Sequence, residues 1–406
     1  MEGIYRKDAG KMKVLMINHF PLTGSGSGTY TRNIAVHLVK KGHEVSVVMP
    51  ENTSHFSAID DVIIYPVYFT YDEKIGNALP FNFPCFTTHP RSVVTFYDLT
   101  DEQLDAYLTS FERTINKAVE EFKPDIIHGQ HIWLLNWLAS KTGIPYVVTA
   151  HGTDLMGYQH SKRFHKYAEE AAQGAKRIIT ISNDNNELVR QIFPNCADKA
   201  VFMRNGYDPE RFYPEPKTKK EIHELFDIKL NDKMVLFAGK LAHFKGIDIL
   251  LEAARLYEGE HPSKITTIIA GDGELVSQLK KQAKDCNLTG VQFVGHLDVS
   301  QLRCLYSAAD VSVVPSRREP FGLVAIEALA CGSPVVATNQ GGLPDIINSD
   351  VGALVEVDDA FGLAEAITDE IFRADRAERG KVCAKYAFDN YTQDSLMGSL
   401  IEIYNS

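Results

Sequence analysis

The sequence predicts an α/β protein that consists of two Rossmann-like, doubly wound domains. Short runs rich in valine and isoleucine alternate with amphipathic helical patterns along nearly the whole chain, which is typical of parallel sheets covered by helices on both faces. The chain has 406 residues. That length exceeds what one hydrophobic core usually serves, so two domains of about 150–200 residues each are expected.

The first half begins with a buried strand pattern at residues 13–20, followed by helical spacing at 29–42 that ends at a glycine. The first eleven residues lack the apolar core and cleavage site of a signal peptide, and we interpret them as an extension ahead of this strand. The later strand patterns of this half lie at residues 44–50, 125–130, 145–152, 177–182 and 200–206.

A second series of strands follows a segment that has the composition of a linker. Residues 207–232 contain three prolines and many charges, so we place the domain boundary there and assign residues 1–208 and 209–387 to the two domains. A helix with an apolar stripe is expected at about 388–406. The strand patterns of the second half lie at residues 234–240, 265–273, 291–296, 310–316 and 334–339.

Composition and charge exclude several classes of protein. The net charge of −11 argues against nucleic acid as the main partner, because phosphate contacts favour an excess of lysine and arginine. No apolar run approaches the ~18 residues of a membrane-spanning helix. The pairs Lys40-Lys41 and Lys162-Arg163 are interpreted as solvated helix ends, with weak contact to an anionic membrane surface as the alternative.

The six cysteines form no Cys-x-x-Cys pair, and several lie among apolar neighbours. This pattern indicates small buried thiols in a reducing compartment and therefore a cytoplasmic protein.

Glycines and polar side chains follow five of the predicted strands. Open α/β sheets bind ligands at the carboxyl ends of their strands, so we expect one site in a deep cleft between the two domains. The stretches concerned are Gly24 to Gly28, His151, Lys240, Gly271 to Gly273 and Glu319.

The glycine-rich loop at 24–28 leads directly into a helix. Glycines let backbone amides approach a ligand, and a helix N-terminus favours an anion such as phosphate. A plain turn is the alternative. The spacing is not the Gly-x-Gly-x-x-Gly fingerprint, since Thr29 or Thr31 stands where the third glycine would fall, and only Glu51 is near the end of the second strand. These facts disfavour a nicotinamide dehydrogenase.

Lys240 and Lys245 lie five residues apart across the start of a helix. Two ammonium groups there can neutralise a diphosphate, especially as a leaving group; ordinary surface lysines are the alternative. His151 ends a strand and precedes Gly152, which favours a role in a cleft over a purely structural one. Asp154 is interpreted as a cap of the next segment.

Glu319 and Glu327 lie eight residues apart, and Pro320 and Gly322 interrupt any regular element between them. A helix is predicted to begin near Gly322, so that its free amides face an anion while Glu319 accepts hydrogen bonds from hydroxyls. Glu327 is placed to accept both hydroxyls of a ribose, and a solvated helix glutamate is the alternative. Together these features fit a sugar joined to a nucleoside through a diphosphate.

Residues 319–347 closely resemble the Glu-(seven residues)-Glu signature of the family 4 retaining glycosyltransferases, which have the GT-B fold. The likeness continues in about eight ordered segments, among them "GSGTYTRNIAVHLVKKGHEVSVV", "AHGTD", "GKLAHFKGIDILLEAA" and "IAGDGEL". The resemblance implies transfer of a glycosyl unit from a nucleotide-sugar with retention of the α configuration. It also implies no cofactor and normally no divalent metal.

The resemblance assigns roles to single residues of the donor site. It implies that Glu327 holds the ribose, that Glu319 holds the hydroxyls of the donor sugar, and that Lys245 binds the diphosphate. Lys240 stands where the family usually has arginine, so the charge is kept but the bidentate fork is lost. The family's remaining donor contacts match the amides of Phe321, Gly322 and Leu323 and the backbone near Gly271 and His296.

In the N-terminal half, the resemblance places His151 near the 6-hydroxyl of the donor sugar and the reacting carbon. Gly26 belongs to a loop that closes on phosphate and acceptor, and Ser25 replaces the first glycine of the usual pair. The implied domain roles are acceptor binding for residues 1–208 and donor binding for 209–387, with the final helix crossing back onto the first domain. The implied reaction is front-face attack by the acceptor hydroxyl while the departing diphosphate takes its proton.

The substrates follow only loosely from the sequence. The motif at 151–154 resembles members that make glucosaminyl-malate and aminoglycoside precursors, which favours UDP-glucose or UDP-N-acetylglucosamine and a small acceptor. GDP-mannose with a lipid-linked or glycan acceptor is the alternative. Residues 65–107 hold ten aromatic residues that either stack on an acceptor or pack in the core. In the same stretch, Thr87, Thr88, His89 and Arg91 are candidate acceptor contacts.

Two other classes of protein make different demands on the sequence. A nucleotide-binding regulator or inactive homologue predicts the loss of Glu319, His151 or Lys245, and all three are present. A glycogen-phosphorylase-like enzyme shares the fold class but needs a lysine-anchored pyridoxal phosphate and a much longer chain. The oligomeric state has no signature in the sequence.

Overall fold

The structure is a computed structural model that describes residues 10–53, 56, 58–70, 76–87, 89–215, 219–226, 233–262 and 264–406. Most of the predicted N-terminal extension, residues 216–218 and 227–232 of the predicted linker, Tyr71 and Thr88 lie outside this part of the chain. The chain divides into two compact units. The first contains the residues up to Arg204 together with Leu396–Ser406, and the second contains Asn205–Ser395.

Unit 1 contains a parallel sheet covered by helices. Its strands are β1 (Lys13–Ile17), β2 (Glu44–Glu51), β3 (Val62–Tyr68), β4 (Ile126–Gln130), β5 (Tyr146–Ala150), β6 (Ile178–Thr180) and β7 (Ala200–Phe202). Its helices are α1 (Gly26–Lys40), α2 (Asp101–Phe122), α3 (Leu134–Ala139), α4 (Thr153–His160), α5 (His165–Gly174) and α6 (Asn183–Ile192).

The seven strands of this sheet are arranged in the order β3-β2-β1-β4-β5-β6-β7, and every neighbouring pair is parallel. The order reverses between β1 and β4, which makes the carboxyl ends of these two strands the topological switch point. Pro66 lies in β3, at the edge of the sheet, where the missing N–H interrupts no ladder between inner strands.

Unit 2 contains a second parallel sheet. Its strands are β8 (Lys233–Ala238), β9 (Ile265–Ala270), β10 (Val291–Gly295), β11 (Val311–Val314), β12 (Val335–Thr338) and β13 (Gly352–Val355). They are arranged in the order β10-β9-β8-β11-β12-β13. The helices are α7 (Lys219–Phe226), α8 (Ile247–Glu260), α9 (Val276–Asp285), α10 (Val299–Ala308), α11 (Leu323–Ala330), α12 (Ala360–Ile371) and α13 (Arg376–Tyr391).

The last helix, α14 (Gln393–Asn405), begins five residues later than the predicted start at about 388. Thr392 is extended and forms a bridge with Tyr207, so this residue separates α13 from α14. The predicted single helix is therefore wrong at its N-terminal end. Met397, Leu400 and Tyr404 are buried in the same core cluster as β1 and α1, so this helix forms part of the core of unit 1.

Alternate residues of the buried strands serve different core clusters. Leu15 and Ile17 of β1 pack in the cluster that contains α2, whereas Val14 and Met16 pack in the cluster that contains α1 and α14. Because side chains alternate between the faces of a sheet, this division places helices on both faces of the sheet of unit 1. The predicted doubly wound architecture is confirmed.

The aromatic stretch at 65–107 packs mainly in the core. Phe69, Phe83 and Phe96 are fully buried, Phe86 is 4% exposed, and all four belong to one cluster with β1 and α2. Core packing is therefore the role of these rings, because a fully buried ring has no face left to stack on an acceptor. Tyr65, Tyr68 and Tyr97 are half-buried, and the ring of Tyr97 lies 4.4 Å from that of His160.

The two basic pairs differ in their surroundings. Lys40 and Lys41 are exposed at the end of α1, as predicted. Arg163, however, donates to the carbonyl of Leu99 and to the carboxylate of Asp101, at 2.5 and 2.7 Å. Arg163 therefore ties a turn to the start of α2, and the prediction of a solvated helix end is wrong for this residue. No helix in the described part of the chain is long and apolar enough to cross a membrane.

Candidate active site

The predicted donor residues of unit 2 follow the carboxyl ends of neighbouring strands. Lys240 comes after β8, Gly271 after β9, His296 after β10 and Glu319 after β11. Since all six strands are parallel, their carboxyl ends meet at one edge of the sheet. The fold thus brings residues that are up to 79 positions apart to the same edge.

Lys245 and Glu319 form a close ion pair. The Nζ atom of Lys245 lies 2.6 Å from Oε2 of Glu319, and the two side chains are only 18% and 10% exposed. Attraction between opposite charges is strong where water is largely excluded. A phosphate that binds Lys245, or a hydroxyl that binds Glu319, therefore meets a group that is already engaged by its neighbour.

The loop that carries Glu319 is held by a second loop after β12. The backbone N–H of Glu319 donates to Oε1 of Gln340 at 2.6 Å, and the N–H of Gly342 donates to the carbonyl of Glu319 at 3.0 Å. Gly341 has a φ of 58°, and a Cβ there would lie 2.0 Å from the Glu319 carbonyl oxygen. Glycine is required at this position because any other residue would displace the loop. Gln340, Gly341 and Gly342 were not among the predicted site residues.

Helix α11 begins at Leu323, as predicted. Gly322 caps it with a φ of 106°, a left-handed conformation that residues with a Cβ rarely adopt. Phe321 is 5% exposed, so its ring anchors the turn in the core. The first amides of a helix lack partners within the helix and carry a partial positive charge, which makes this turn suitable for an anionic group.

Glu327 lies in the middle of α11 and is not a solvated helix glutamate. Burial raises the pKa of its carboxyl from 4.5 to about 8, against the opposing effect of the Arg211 guanidinium. Its side chain is half-buried, and its carboxylate accepts no hydrogen bond from any residue that the structure describes. The carboxyl is therefore available to a ligand. Arg211 was missed because it lies 116 positions away in the chain.

Lys240, Gly271 and His296 form a more open part of this edge. Lys240 is 36% exposed, with its Nζ 3.7 Å from a carboxylate oxygen of Glu274. Gly271 has a φ of 138°, and a Cβ there would lie 1.8 Å from the carbonyl oxygen of Gly239, so only glycine lets these two loops meet. His296 is exposed and lines a cavity of about 650 Å³.

In unit 1, Gly26 is the first residue of α1, and Ser25 is its N-cap. The Ser25 Oγ atom accepts a hydrogen bond from the Gly28 N–H at 3.0 Å, which satisfies one of the amides that the helix leaves free. Ser25, which replaces the glycine usual in the family, therefore has a structural role as the helix cap. Gly24 has a φ of 89°, and a Cβ there would lie 3.1 Å from the ring of His89.

His151 follows β5 and is held by two neighbours. Its Nε2 lies 2.8 Å from Oε1 of Gln130, and its backbone N–H donates to Asp154 at 3.1 Å. Burial lowers the pKa of the imidazole to about 3, so the ring is neutral at pH 7. Burial also raises the pKa of Asp154 to about 6. Asp154 accepts from the N–H of Ile132 as well, so it connects two loops as well as lying in the first turn of α4.

Sequence reasoning missed the histidines that surround His151. The ring of His131 lies 4.7 Å from that of His151, and the ring of His19 lies 5.7 Å from that of His131. Burial lowers the pKa of both rings below the ordinary value. The available signal was that His131 directly follows β4 and that His19 lies two residues after β1, because strand ends at the switch point collect functional side chains.

Two family models and a curated relative show the family to which the chain belongs. Glycosyltransferase Family 4 matches residues 24–211, and Glycosyl transferases group 1 matches residues 218–387. The α-maltose-1-phosphate synthase of Mycolicibacterium smegmatis is 30% identical over 338 residues, which cover 76% of this chain and 85% of that protein. The chain belongs to glycosyltransferase family 4.

Other relatives of this glycosyltransferase extend the comparison to the full chain. An uncharacterized glycosyltransferase of Methanocaldococcus jannaschii is 28% identical over 410 residues, covering 95% of this chain and 97% of that one. The solved structure of sucrose-phosphate synthase from Thermosynechococcus elongatus has a TM-score of 0.75 at 22% identity, with 97% and 98% coverage. HepE of Anabaena, solved with UDP and glucose, has a TM-score of 0.74 at 20% identity, with 97% and 100% coverage. These similarities confirm the GT-B fold.

No group of three or more histidine, cysteine, aspartate or glutamate side chains in the described ranges is arranged to hold a metal ion. The predicted catalytic and donor-binding residues are divided between the two units. Lys240, Lys245, Glu319 and Glu327 lie in unit 2, whereas His151 lies in unit 1. The predicted single site between the domains stays a prediction.

Proposed function

We propose that this glycosyltransferase transfers a hexosyl unit from UDP-glucose or UDP-N-acetylglucosamine to the hydroxyl of a small acceptor, forming an α-glycosidic bond without a divalent metal. The arrangement of Lys245, Glu319 and the first turn of α11 supports this proposal. An ammonium group and free helix amides at one strand edge suit a diphosphate. The carboxylate of Glu319 beside them suits the hydroxyls of a sugar.

The half-buried Glu327 supports a nucleoside as the other part of the donor. Its carboxyl accepts no hydrogen bond from the described residues, and it can accept hydrogen bonds from ribose hydroxyls. Relatives support the donor class. HepE of Anabaena has been solved with UDP-glucose, and starch synthase IV of Arabidopsis thaliana with ADP.

The proposed reaction is a displacement at the anomeric carbon on one face of the sugar. The bond from this carbon to the diphosphate oxygen breaks, the acceptor oxygen forms a new bond to the same carbon, and the acceptor proton passes to the departing diphosphate. Lys240, Lys245 and the amides of α11 stabilise the charge that develops on the leaving group. His151 is neutral at pH 7 and contributes a hydrogen bond, not a charge.

The acceptor that we propose is a small polar molecule. The relatives include a D-inositol 3-phosphate glycosyltransferase of Geodermatophilus obscurus and α-maltose-1-phosphate synthases. All six cysteines are free, and all but Cys286 are buried, which supports our proposal of a cytoplasmic location.

Calorimetric titration with UDP, GDP and ADP tests the donor. We expect UDP to bind most tightly. Lys245→Met should weaken UDP binding by about ten- to hundredfold, the usual effect of losing a charge-assisted hydrogen bond. The control is Lys281→Met, at an exposed position of α9, which should bind like the wild type.

The product of turnover with UDP-sugars gives a second test. Proton NMR should show an α-linked product. A β linkage, preferential binding of GDP, or full UDP affinity in Lys245→Met would each contradict a stated part of the proposal.

A further inference from the structure

We propose that Gln130 is a positioning residue that keeps the proton of His151 on Nε2, so that Nδ1 is the nitrogen that accepts a hydrogen bond from the substrate. This inference deepens the proposed function and rests on it for the identity of the substrate. The tautomer itself is a property of the protein alone.

The contact between the two side chains determines the tautomer. Oε1 of Gln130 lies 2.8 Å from Nε2 of His151, and Gln130 is fully buried. An amide oxygen only accepts hydrogen bonds, so the imidazole nitrogen that faces it is the one that carries the proton. The neutral ring then has its lone pair on Nδ1.

Nδ1 of His151 is the ring nitrogen that the protein leaves available. It has no hydrogen-bond partner among the residues that the structure describes, and it is not among the fully buried polar atoms without a partner. This nitrogen therefore keeps accessible surface. A hydroxyl of the sugar or of the acceptor is a suitable donor to it.

The backbone on both sides of Gln130 is closely packed. Gln130 ends β4 and is the partner of Thr149 in β5. His131 has a φ of 68°, an uncommon value for a residue with a side chain. Its carbonyl accepts from Nδ2 of Asn136 at 2.6 Å. A Cβ on Gly129 would lie 1.6 Å from Oδ1 of Asn136, so a larger residue immediately before Gln130 would displace the Asn136 side chain.

The position of the His151 ring is fixed from three further sides. The Asp154 carboxylate accepts from the backbone N–H groups of both Ile132 and His151, which joins the loops after β4 and β5. The rings of Tyr30 and His131 lie 5.2 and 4.7 Å from the imidazole. With the ring fixed in this way, the Gln130 amide decides which nitrogen is protonated. Gln130 at the end of β4 thus acts on the substrate through His151, which follows β5.

Nitrogen NMR on ¹⁵N-histidine-labelled protein without substrate tests the tautomer directly, with the His151→Asn variant used to assign the signal. We expect the proton on Nε2 in the wild type. Gln130→Met, which has similar volume but no strong acceptor, should lose this preference. Gln191→Met, at an exposed position of α6, should not change the His151 signal. A proton on Nδ1 in the wild type would overturn the proposal.

Kinetics separate positioning from a purely structural role. Gln130→Met should lower kcat on the order of tenfold while the Kd for UDP and the melting temperature stay close to those of Gln191→Met. An unchanged kcat would overturn the proposal, and so would equal loss of UDP affinity. If glycosyl transfer is absent in the wild type, the proposed function fails, whereas the NMR result still decides the tautomer.

A charged variant provides a readout that does not depend on stability. In Gln130→Glu a carboxylate faces Nε2–H and raises the pKa of His151, so His151 becomes charged at a higher pH than in the wild type. The titratable groups around this ring are Tyr30 of α1, His128 and His131 of β4 and its loop, and Asp154 of α4.

A charged His151 donates from both nitrogens and no longer accepts at Nδ1. The kcat of Gln130→Glu should therefore fall as the pH is lowered through the new pKa of His151, while the wild type shows no such acid limb. A Gln130→Glu profile that matches the wild type would overturn the assignment of Nδ1 as the acceptor.

Discussion

The ammonium of Lys245 and the carboxylate of Glu319 are 2.6 Å apart, yet the two residues were assigned to different parts of the donor. The pairing is consistent with both roles. When these groups are mostly removed from water, the ammonium needs a negative charge or a hydrogen-bond acceptor, and the carboxylate needs a positive charge or a hydrogen-bond donor. A substrate that carries both a diphosphate and sugar hydroxyls offers a partner to each of them.

Glu327 gives a prediction at the scale of one side chain. Burial raises the pKa of this carboxyl to about 8 in the folded protein, from an ordinary value of 4.5. Between these two pH values, the folded state retains a proton that the unfolded chain loses. The free energy of unfolding should therefore fall as the pH rises from 4.5 to about 8, by at most ~1.4 kcal/mol per pH unit.

Glu327→Gln removes this group, so the variant should gain stability relative to the wild type between pH 5 and pH 8, as measured by urea denaturation. The same variant should bind UDP more weakly above pH 8, where the wild-type group is ionised, because a neutral amide accepts hydrogen bonds from ribose hydroxyls less well than a carboxylate does. Glu365→Gln, at an exposed position of α12, serves as the control. A constant difference in stability across this range, with unchanged UDP affinity, would show that Glu327 is assigned wrongly.

At the scale of secondary structure, short helices do most to shape the candidate site. Helix α11 has only eight residues, but its first turn is fixed by the left-handed Gly322 and by the buried Phe321. Helix α4 also has eight residues, and Gly152 with a φ of 86° precedes it. In both cases a glycine lets the chain turn sharply from a strand end into a helix.

The C-terminal helix provides the prediction at this scale. Leu400 is fully buried in the core of unit 1, and the Tyr404 hydroxyl lies 2.7 Å from Nδ1 of His128. Leu400→Ala should reduce the free energy of unfolding of unit 1 by about 2–5 kcal/mol, as expected for loss of a buried leucine. Urea denaturation followed by tryptophan fluorescence measures this change.

Ser399→Ala, one position earlier and exposed, is the matched control and should leave the stability nearly unchanged. If the two substitutions have equal effects, α14 does not contribute to this core. Trp133 and Trp137 both lie in unit 1, so the fluorescence signal reports on the unit to which the helix belongs.

At the scale of the whole molecule, two all-parallel sheets of different size have sets of polar residues at their carboxyl edges. Parallel strands need long helical crossovers, which accounts for the length of the chain. The crossover helices cover both faces of each sheet, which is why the strands are almost continuously apolar. The assignment of Leu396–Ser406 to unit 1 means that the chain returns to the first unit after completing the second.

Metal independence is the prediction that concerns the whole enzyme. The sequence contains no Asp-x-Asp pair, and Lys240 and Lys245 supply positive charge at the donor edge. Turnover of a UDP-sugar should therefore be the same in excess EDTA as with added magnesium or manganese. Loss of turnover in EDTA that either ion restores would contradict the proposed role of the two lysines.

The sequence by itself determined the fold class and the order of its elements. Alternation of apolar strands with amphipathic helices has a local cause, because each pattern reflects which side chains a strand or helix must bury. It also predicted Glu319, Gly322 and Lys245 as site residues, since the residues that follow strand ends are adjacent to those strands in the chain. The start of α11 at Leu323 was predicted for the same local reason.

Only the tertiary structure decided which of these side chains contact one another. The pairing of Lys245 with Glu319, the effect of Arg211 on Glu327 and the contact of Gln130 with His151 join residues that are 74, 116 and 21 positions apart. The order of strands in each sheet sets these contacts. The boundary between α13 and α14 was likewise fixed by the bridge from Thr392 to Tyr207. The same packing buries Glu327 and His151, and burial shifts their pKa values. No local pattern in the sequence could therefore predict these shifts.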